Sequence, residues 1–267
     1  MFPAYSQLQK QQDIKVDTDD ERIFDIAVVS DTRLLVIVKS KKRVILVNSQ
    51  TGGTVAKITL KCFPRRVCMF NNIMAVITLG DKNLMFININ SDSLELGRSL
   101  RLNGDVWGVA GSQDTIIVSY AAPPWLQVLS MDGRVMHTFV NQGVERVMFK
   151  RPFFITTSAD GMVYVSDKDT STVTQLGSNL HVIKTYSDPI LQYPRKIISV
   201  SADQVLVCSR GNDRILLLCP SKGTITSILG QQDGIKKPRA LTYSPSQKKL
   251  YVVPDENSGR IQVFQQQ

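Results

Sequence analysis

Leu206-Val-Cys-Ser-Arg-Gly-Asn-Asp-Arg-Ile-Leu-Leu-Leu218 is two apolar β-type runs on either side of a Gly-Asn-Asp turn, the pattern of a β-hairpin. Its second run has counterparts along the whole chain: Val44-Ile-Leu-Val, Leu84-Met-Phe-Ile, Leu126-Gln-Val-Leu, Met162-Val-Tyr-Val and Ile261-Gln-Val-Phe. From Val44 to Ile261 the five intervals average about 43 residues. A third apolar run precedes each hairpin, in Ile23-Phe-Asp-Ile-Ala-Val, Val67-Cys-Met-Phe, Val106-Trp-Gly-Val-Ala, Val147-Met-Phe, Ile197-Ile-Ser-Val and Ala240-Leu-Thr-Tyr. A more polar fourth run follows, as in Thr54-Val-Ala-Lys-Ile-Thr-Leu or Thr224-Ile-Thr-Ser-Ile-Leu. Buried inner strands and a wetted outermost strand produce that gradient. The expected fold is therefore all-β, a six-bladed β-propeller of four-stranded antiparallel blades.

The sixth unit reaches Ile261-Gln-Val-Phe without a fourth run, while Ser6 to Val16 precedes the first unit and has no other place. A strand near Gln7 to Lys15 is thus expected to pair beside Ile261 to Phe264 and close the ring, removing its open edges. Residues 1–267 are read as one propeller domain.

Two repeats carry a family motif. Lys237-Pro-Arg-Ala-Leu-Thr-Tyr with Leu250-Tyr-Val-Val-Pro-Asp-Glu-Asn-Ser-Gly-Arg-Ile-Gln-Val-Phe resembles an NHL repeat, and Pro194-Arg-Lys-Ile-Ile-Ser-Val with Asn212-Asp-Arg-Ile-Leu-Leu-Leu repeats it. Tyr164-Val-Ser-Asp keeps part of the motif, and the first three units are degenerate. The whole is similar to the C-terminal propeller of tripartite-motif proteins. That resemblance implies a non-catalytic recognition domain for protein or RNA, separate from the zinc-binding segments that carry ligase chemistry.

Composition narrows the function classes. No apolar run approaches the ~18 residues of a membrane span, and the start, Met1-Phe-Pro-Ala-Tyr-Ser, lacks the pattern of a signal peptide. An intracellular, cytoplasmic, monomeric protein with no membrane association is expected. Cys62, Cys68, Cys208 and Cys219 show no Cys-x-x-Cys spacing, and His137 and His181 are the two histidines, so neither a metal nor another cofactor is expected. Asp160, Asp167, Asp213 and Asp255 sit beside turn residues and are read as turn formers. With no catalytic constellation in view, the chain is expected not to be an enzyme. A hydrolase or lyase with a channel metal is the third alternative.

The net charge of +9 points to an anionic partner. In a propeller, loops between second and third strands share a face with loops between blades. Lys41, Lys42, Arg43, Arg210 and Arg214 fall in the first set, and Arg65, Arg66, Arg195, Lys196, Lys237 and Arg239 in the second. The residue after the proline of Pro64, Pro194 and Pro238, with its inferred equivalents elsewhere, gives Phe24, Arg65, Trp107, Glu145, Arg195 and Arg239, a ring of cations and aromatics at the channel mouth. Stacking faces among guanidinium groups suit unpaired bases. Trp125, after Pro123-Pro124, is expected on an outward loop as an anchor for a protein partner. A protein partner is the first expectation and single-stranded RNA the second.

Overall fold

The computed structural model describes residues 8–112, 114–140, 148–256 and 258–267. Two short strands, β1 (Leu8–Lys10) and β2 (Ile14–Lys15), precede six sheets. Blade one is β3 (Ile23–Ser30), β4 (Arg33–Val38), β5 (Arg43–Asn48) and β6 (Thr54–Thr59); blade two is β7 (Pro64–Asn71), β8 (Met74–Leu79), β9 (Asn83–Ile89) and β10 (Leu94–Arg101). Blade three is β11 (Val106–Ser112), β12 (Thr115–Ala121), β13 (Pro124–Ser130) and β14 (Val135–Val140); blade four is β15 (Pro152–Thr157), β16 (Val163–Asp167), β17 (Thr172–Leu176) and β18 (Val182–Tyr186). Blade five is β19 (Pro194–Ser201), β20 (Gln204–Ser209), β21 (Arg214–Cys219) and β22 (Thr224–Leu229). Blade six is β23 (Pro238–Ser244), β24 (Lys249–Pro254) and β25 (Arg260–Gln266), completed by the N-terminal strands. All sheets are antiparallel meanders, and the expected six-bladed propeller is what the chain forms. Among the described residues no helix is long and apolar enough to cross a membrane.

The alternation of strand side chains builds the ring. On β4, Leu34, Val36 and Val38 pack with Ala240, Tyr251 and Val253 of blade six, whereas Leu35 and Ile37 pack with Val67, Ala75 and Ile77 of blade two. Both faces of an inner strand are therefore buried, which is why its sequence is continuously apolar rather than alternating. Six such cores, one at each junction between neighbouring blades, hold the disc together. The outermost strands face water, and β14, which carries His137, is exposed over most of its length.

The closure strap forms as expected. Lys10 pairs with Phe264 and Leu8 with Gln266, while Ile14 pairs with Ile261 and Lys15 with Arg260. Beyond the backbone ladder, Ile14 and Val16 are buried in the core between blades six and one. Gly259, at φ +74°, lets the strap pass so close that a Cβ there would lie 2.1 Å from the Val16 carbonyl oxygen.

Blade four departs from the sequence reading. Val147 lies outside the described residues, and Met148 and Phe149 precede the first strand, which starts at Pro152. Phe149 is nonetheless fully buried, its ring edge-on to Phe139. An apolar residue in a long inter-blade segment mimics a strand, and Met162-Val-Tyr-Val, expected as a third strand, runs into the second, β16. The head of β15 instead repeats those of β7, β19 and β23, each beginning with proline.

Candidate active site

Each blade's first strand begins with one paired residue and then slips register. The shift falls after Ile23, Pro64, Val106, Pro152, Pro194 and Pro238, so the following residue is unpaired with the second strand. Such bulges re-aim side chains. The bulged set is Phe24, Arg65, Trp107, Phe153, Arg195 and Arg239 at the channel mouth. Five of these match the expected ring. The sixth is a correction, because Phe153 holds the place assigned to Glu145, which lies outside the described residues. Pro152 is the signal in the sequence, since it heads its strand as Pro64, Pro194 and Pro238 head theirs. One step deeper come Asp25, Arg66, Gly108, Phe154, Lys196 and Ala240.

The deeper level is pinned across the channel. Lys196 donates to Asp25 Oδ1 at 2.8 Å and to the Val67 carbonyl at 3.3 Å, while Asp25 accepts from the Ile26 and Val67 amides at 2.9 and 3.0 Å. Asp25 is fully buried, and one ion pair thereby joins blades one, two and five. Below it a cavity of about 380 Å³ runs down the channel between first strands, lined by Ile26, Cys68, Ala110, Ile155, Thr156 and Ser199 among others.

Above the pin the mouth is cationic. Asp105 accepts from Arg65 Nη1 at 2.7 Å and from the Trp107 indole at 3.1 Å, fixing both. Asp255 is clamped by Arg210, through Nε at 2.8 Å and Nη2 at 2.6 Å, and by Arg239. This corrects its reading as a turn former; Asp167, which accepts four backbone amides, keeps that role. Arg66 and Arg195 have no carboxylate within ion-pair distance among the described residues, and each has a buried Nε without a hydrogen-bond partner. Burial, and among the charges Arg239, Arg195 and Arg65, push the Arg66 guanidinium down to about 9, Asp25 pulling the other way. Because the folded value lies below the ordinary 12.5, the cost of holding this charge is in force at neutral pH and is lifted only as pH rises past about 9. Burial and the nearby Arg239 and Arg210 likewise lower Arg195 to about 10.

The aromatic members are already occupied. Trp107 stacks on Phe153 at 4.3 Å between centroids and carries the Arg65 guanidinium at 4.2 Å. Phe24 is approached by Arg66, Arg239 and Lys39 at 4.7, 4.6 and 4.8 Å, and Arg66 also lies 3.8 Å from the Phe154 centroid. These contacts are cation–π pairs internal to the protein. The expected stacking platform for bases is thus used up by the arginines themselves. Trp107→Ala is expected to lower stability by about 2–3 kcal/mol, below the range for a fully buried tryptophan because the ring is half-buried; thermal melting measures it.

Lys39 stands over this cluster. Among the described residues its ammonium has no hydrogen bond or ion pair, and burial, then Arg65, Arg66 and Arg239, lower its pKa. Phe24, Lys39, Phe63 and Arg239 border a depression of about 490 Å³ open to solvent. The basic residues that the sequence singled out in this loop are its neighbours Lys41, Lys42 and Arg43. Those neighbours sit on the rim: Lys41 near Glu21, Lys42 on the Lys61 carbonyl and over Phe63, Arg43 on Asp19, Lys237 on Glu256, and Arg214 exposed. Trp125 is not thrown outward. Pro124 opens strand β13, and the Trp125 ring packs edge-on to Tyr120 at 4.9 Å with its indole nitrogen buried.

No family model matches the chain, and no curated protein matches it. A solved structure of a streptogramin B lyase does, over 96% of this chain and 97% of that one, at a TM-score of 0.67 and 9% identity. The shared feature is the fold. The likeness bears out the propeller but not its assignment to NHL or tripartite-motif proteins. It also corrects the expectation of a non-catalytic recognition disc, since the named neighbour built on this ring is a lyase. A low histidine count therefore does not by itself set this chain apart from propeller enzymes. At 9% identity no residue role transfers from that protein.

Proposed function

We propose that this protein is a propeller enzyme of lyase type that takes an anionic substrate at the mouth of its central channel, with Lys39 as the general base. The observation that carries the reading is the Lys39 amine, which among the described residues has no hydrogen bond or ion pair, lies over the Phe24 ring that Arg66 and Arg239 also approach, and has its pKa lowered by burial and by Arg65, Arg66 and Arg239. A lysine made less basic in this way is a proton acceptor nearer neutral pH than an ordinary one. Guanidinium groups that hold a substrate carboxylate or phosphate would also stabilise the negative charge that develops when an adjacent C–H is deprotonated. Elimination of a leaving group β to that carbon completes the reaction, the proton passing to Lys39 and the electron pair of the C–H bond forming the new double bond. Among the described residues no three His, Cys, Asp or Glu side chains are grouped to hold a metal. The NHL-like heads of blades five and six fit the same reading as structural elements, since their prolines precede the arginines that enter the mouth.

The test is a panel of anionic compounds with a leaving group β to an acidic C–H, assayed for unsaturated product by mass spectrometry. Turnover is expected with the parent, and Lys39→Met should reduce it by roughly 10²–10⁴-fold, the range for loss of a positioned base. Because the base works as the neutral amine, kcat/KM should rise with pH through the lowered Lys39 pKa and then level off. Absence of turnover across the panel, or turnover indifferent to Lys39→Met, would sink the proposal.

A further inference from the structure

The charge count at the mouth says what kind of anion fits. Lys39, Arg65, Arg66, Arg195, Lys196, Arg210 and Arg239 are seven cations, and Asp25, Asp105 and Asp255 are the three carboxylates that meet them among the described residues, leaving a surplus of four. Two of these charges, Arg66 and Arg195, are not on flexible rim side chains. Arg66 is 2% exposed and held between Phe24 and Phe154, with one Nη on the Arg65 carbonyl and its Nε unpartnered. Arg195, on the bulge of the blade-five first strand, has a second buried, unpartnered Nε. Buried guanidinium donors without acceptors are costly, and native proteins satisfy them.

We infer that the channel mouth recognises a compact polyanion, a group carrying at least two closely spaced oxyanionic charges, as in a phosphate ester, a diphosphate or a tricarboxylate. This deepens the proposed function by naming the substrate's charged group, and rests on the mouth being the substrate site. A single carboxylate can bridge two guanidinium groups, as Asp255 does for Arg210 and Arg239, but it offsets one charge of the four, whereas a compact polyanion offsets several. A nucleic-acid strand is the poorer fit for a different reason: its affinity draws on base stacking as well as phosphate contacts, and Trp107, Phe153 and Phe24 are already covered by one another or by cations. The rigid fork of arginine suits phosphate and carboxylate oxygens alike, so the two sources are separated by experiment.

Isothermal titration at one moderate ionic strength would compare acetate, inorganic phosphate, pyrophosphate, citrate and a short oligothymidylate. Pyrophosphate or citrate is expected to bind at least tenfold more tightly than acetate, and whichever of the two binds better identifies phosphate or carboxylate as the source. Arg195→Met and Arg66→Met should each weaken that binding at least tenfold, whereas Lys222→Ala, in an exposed turn between β21 and β22, should leave it unchanged. Arg195 is partly exposed, so its variant remains informative if Arg66→Met does not fold. Equal binding of acetate and pyrophosphate would overturn the inference. So would polyanion binding indifferent to Arg195→Met, or oligothymidylate as the tightest ligand. Tight polyanion binding without turnover would remove the enzyme reading alone, and turnover of a monoanion without polyanion binding would remove this inference alone.

Discussion

Lys196→Met is expected to destabilise the protein by about 3–5 kcal/mol, a large part of the ~5–15 kcal/mol that holds a domain folded. The substitution removes the ammonium that lies 2.8 Å from Asp25 Oδ1 and leaves a carboxylate with no exposure in the middle of the ring. The other contacts of Asp25 are two backbone amides, which satisfy its oxygens without neutralising its charge. Stranding a buried charge, rather than losing an attraction, is what makes the cost large. Asp25→Asn combined with Lys196→Met should therefore recover part of the loss, because an uncharged amide can still accept from the Val67 amide. Urea denaturation of the parent, the single variant and the double variant decides the matter. A Lys196→Met protein as stable as the parent would show that the pin does not hold the blades, and a double variant no better than the single would show that charge is not the cause.

Deleting residues 1–16 should be comparably severe. The deletion strips the strap from β25 and exposes that strand's backbone edge. It also takes Ile14 and Val16, 4% and 0% exposed, out of the junction between blades six and one. At about 1.5–3 kcal/mol for each buried side chain, the apolar loss alone is on the order of 3–6 kcal/mol. A ring differs from an open array in that its last junction restrains all the others. A truncated protein is therefore expected to melt well below the parent and to self-associate through the freed edge, as sedimentation would reveal. If it melts and sediments like the parent, closure through the strap contributes little.

How much of this was legible in the residues follows from what each feature depends on. Period and alternation are local, so the repeat of about 43 residues determined six blades, their strand order and the buried inner strands. The strap was legible too, because a blade short of one strand and an unassigned strand at the other end of the chain have one economical solution. The mouth was half legible: proline at the head of β7, β19 and β23 marked the bulge, and the arginine after it marked the ring. Blade four misled because a buried Phe149 outside any strand has the same hydrophobic signature as one inside.

Only the tertiary structure decided what the ring residues do. Whether Trp107 and Phe24 offer free faces depends on which guanidinium lies over them, and those arginines come from other blades, tens of residues away. Whether a cation is neutralised depends on Asp105, Asp25 and Asp255 arriving beside Arg65, Lys196 and the Arg210–Arg239 pair but not beside Arg66 or Arg195. The sequence by itself put arginines after the prolines that head β7, β19 and β23. Which of them remain unmatched at the channel mouth is a matter of distance and burial, and these are set only when six separate first strands converge on one axis.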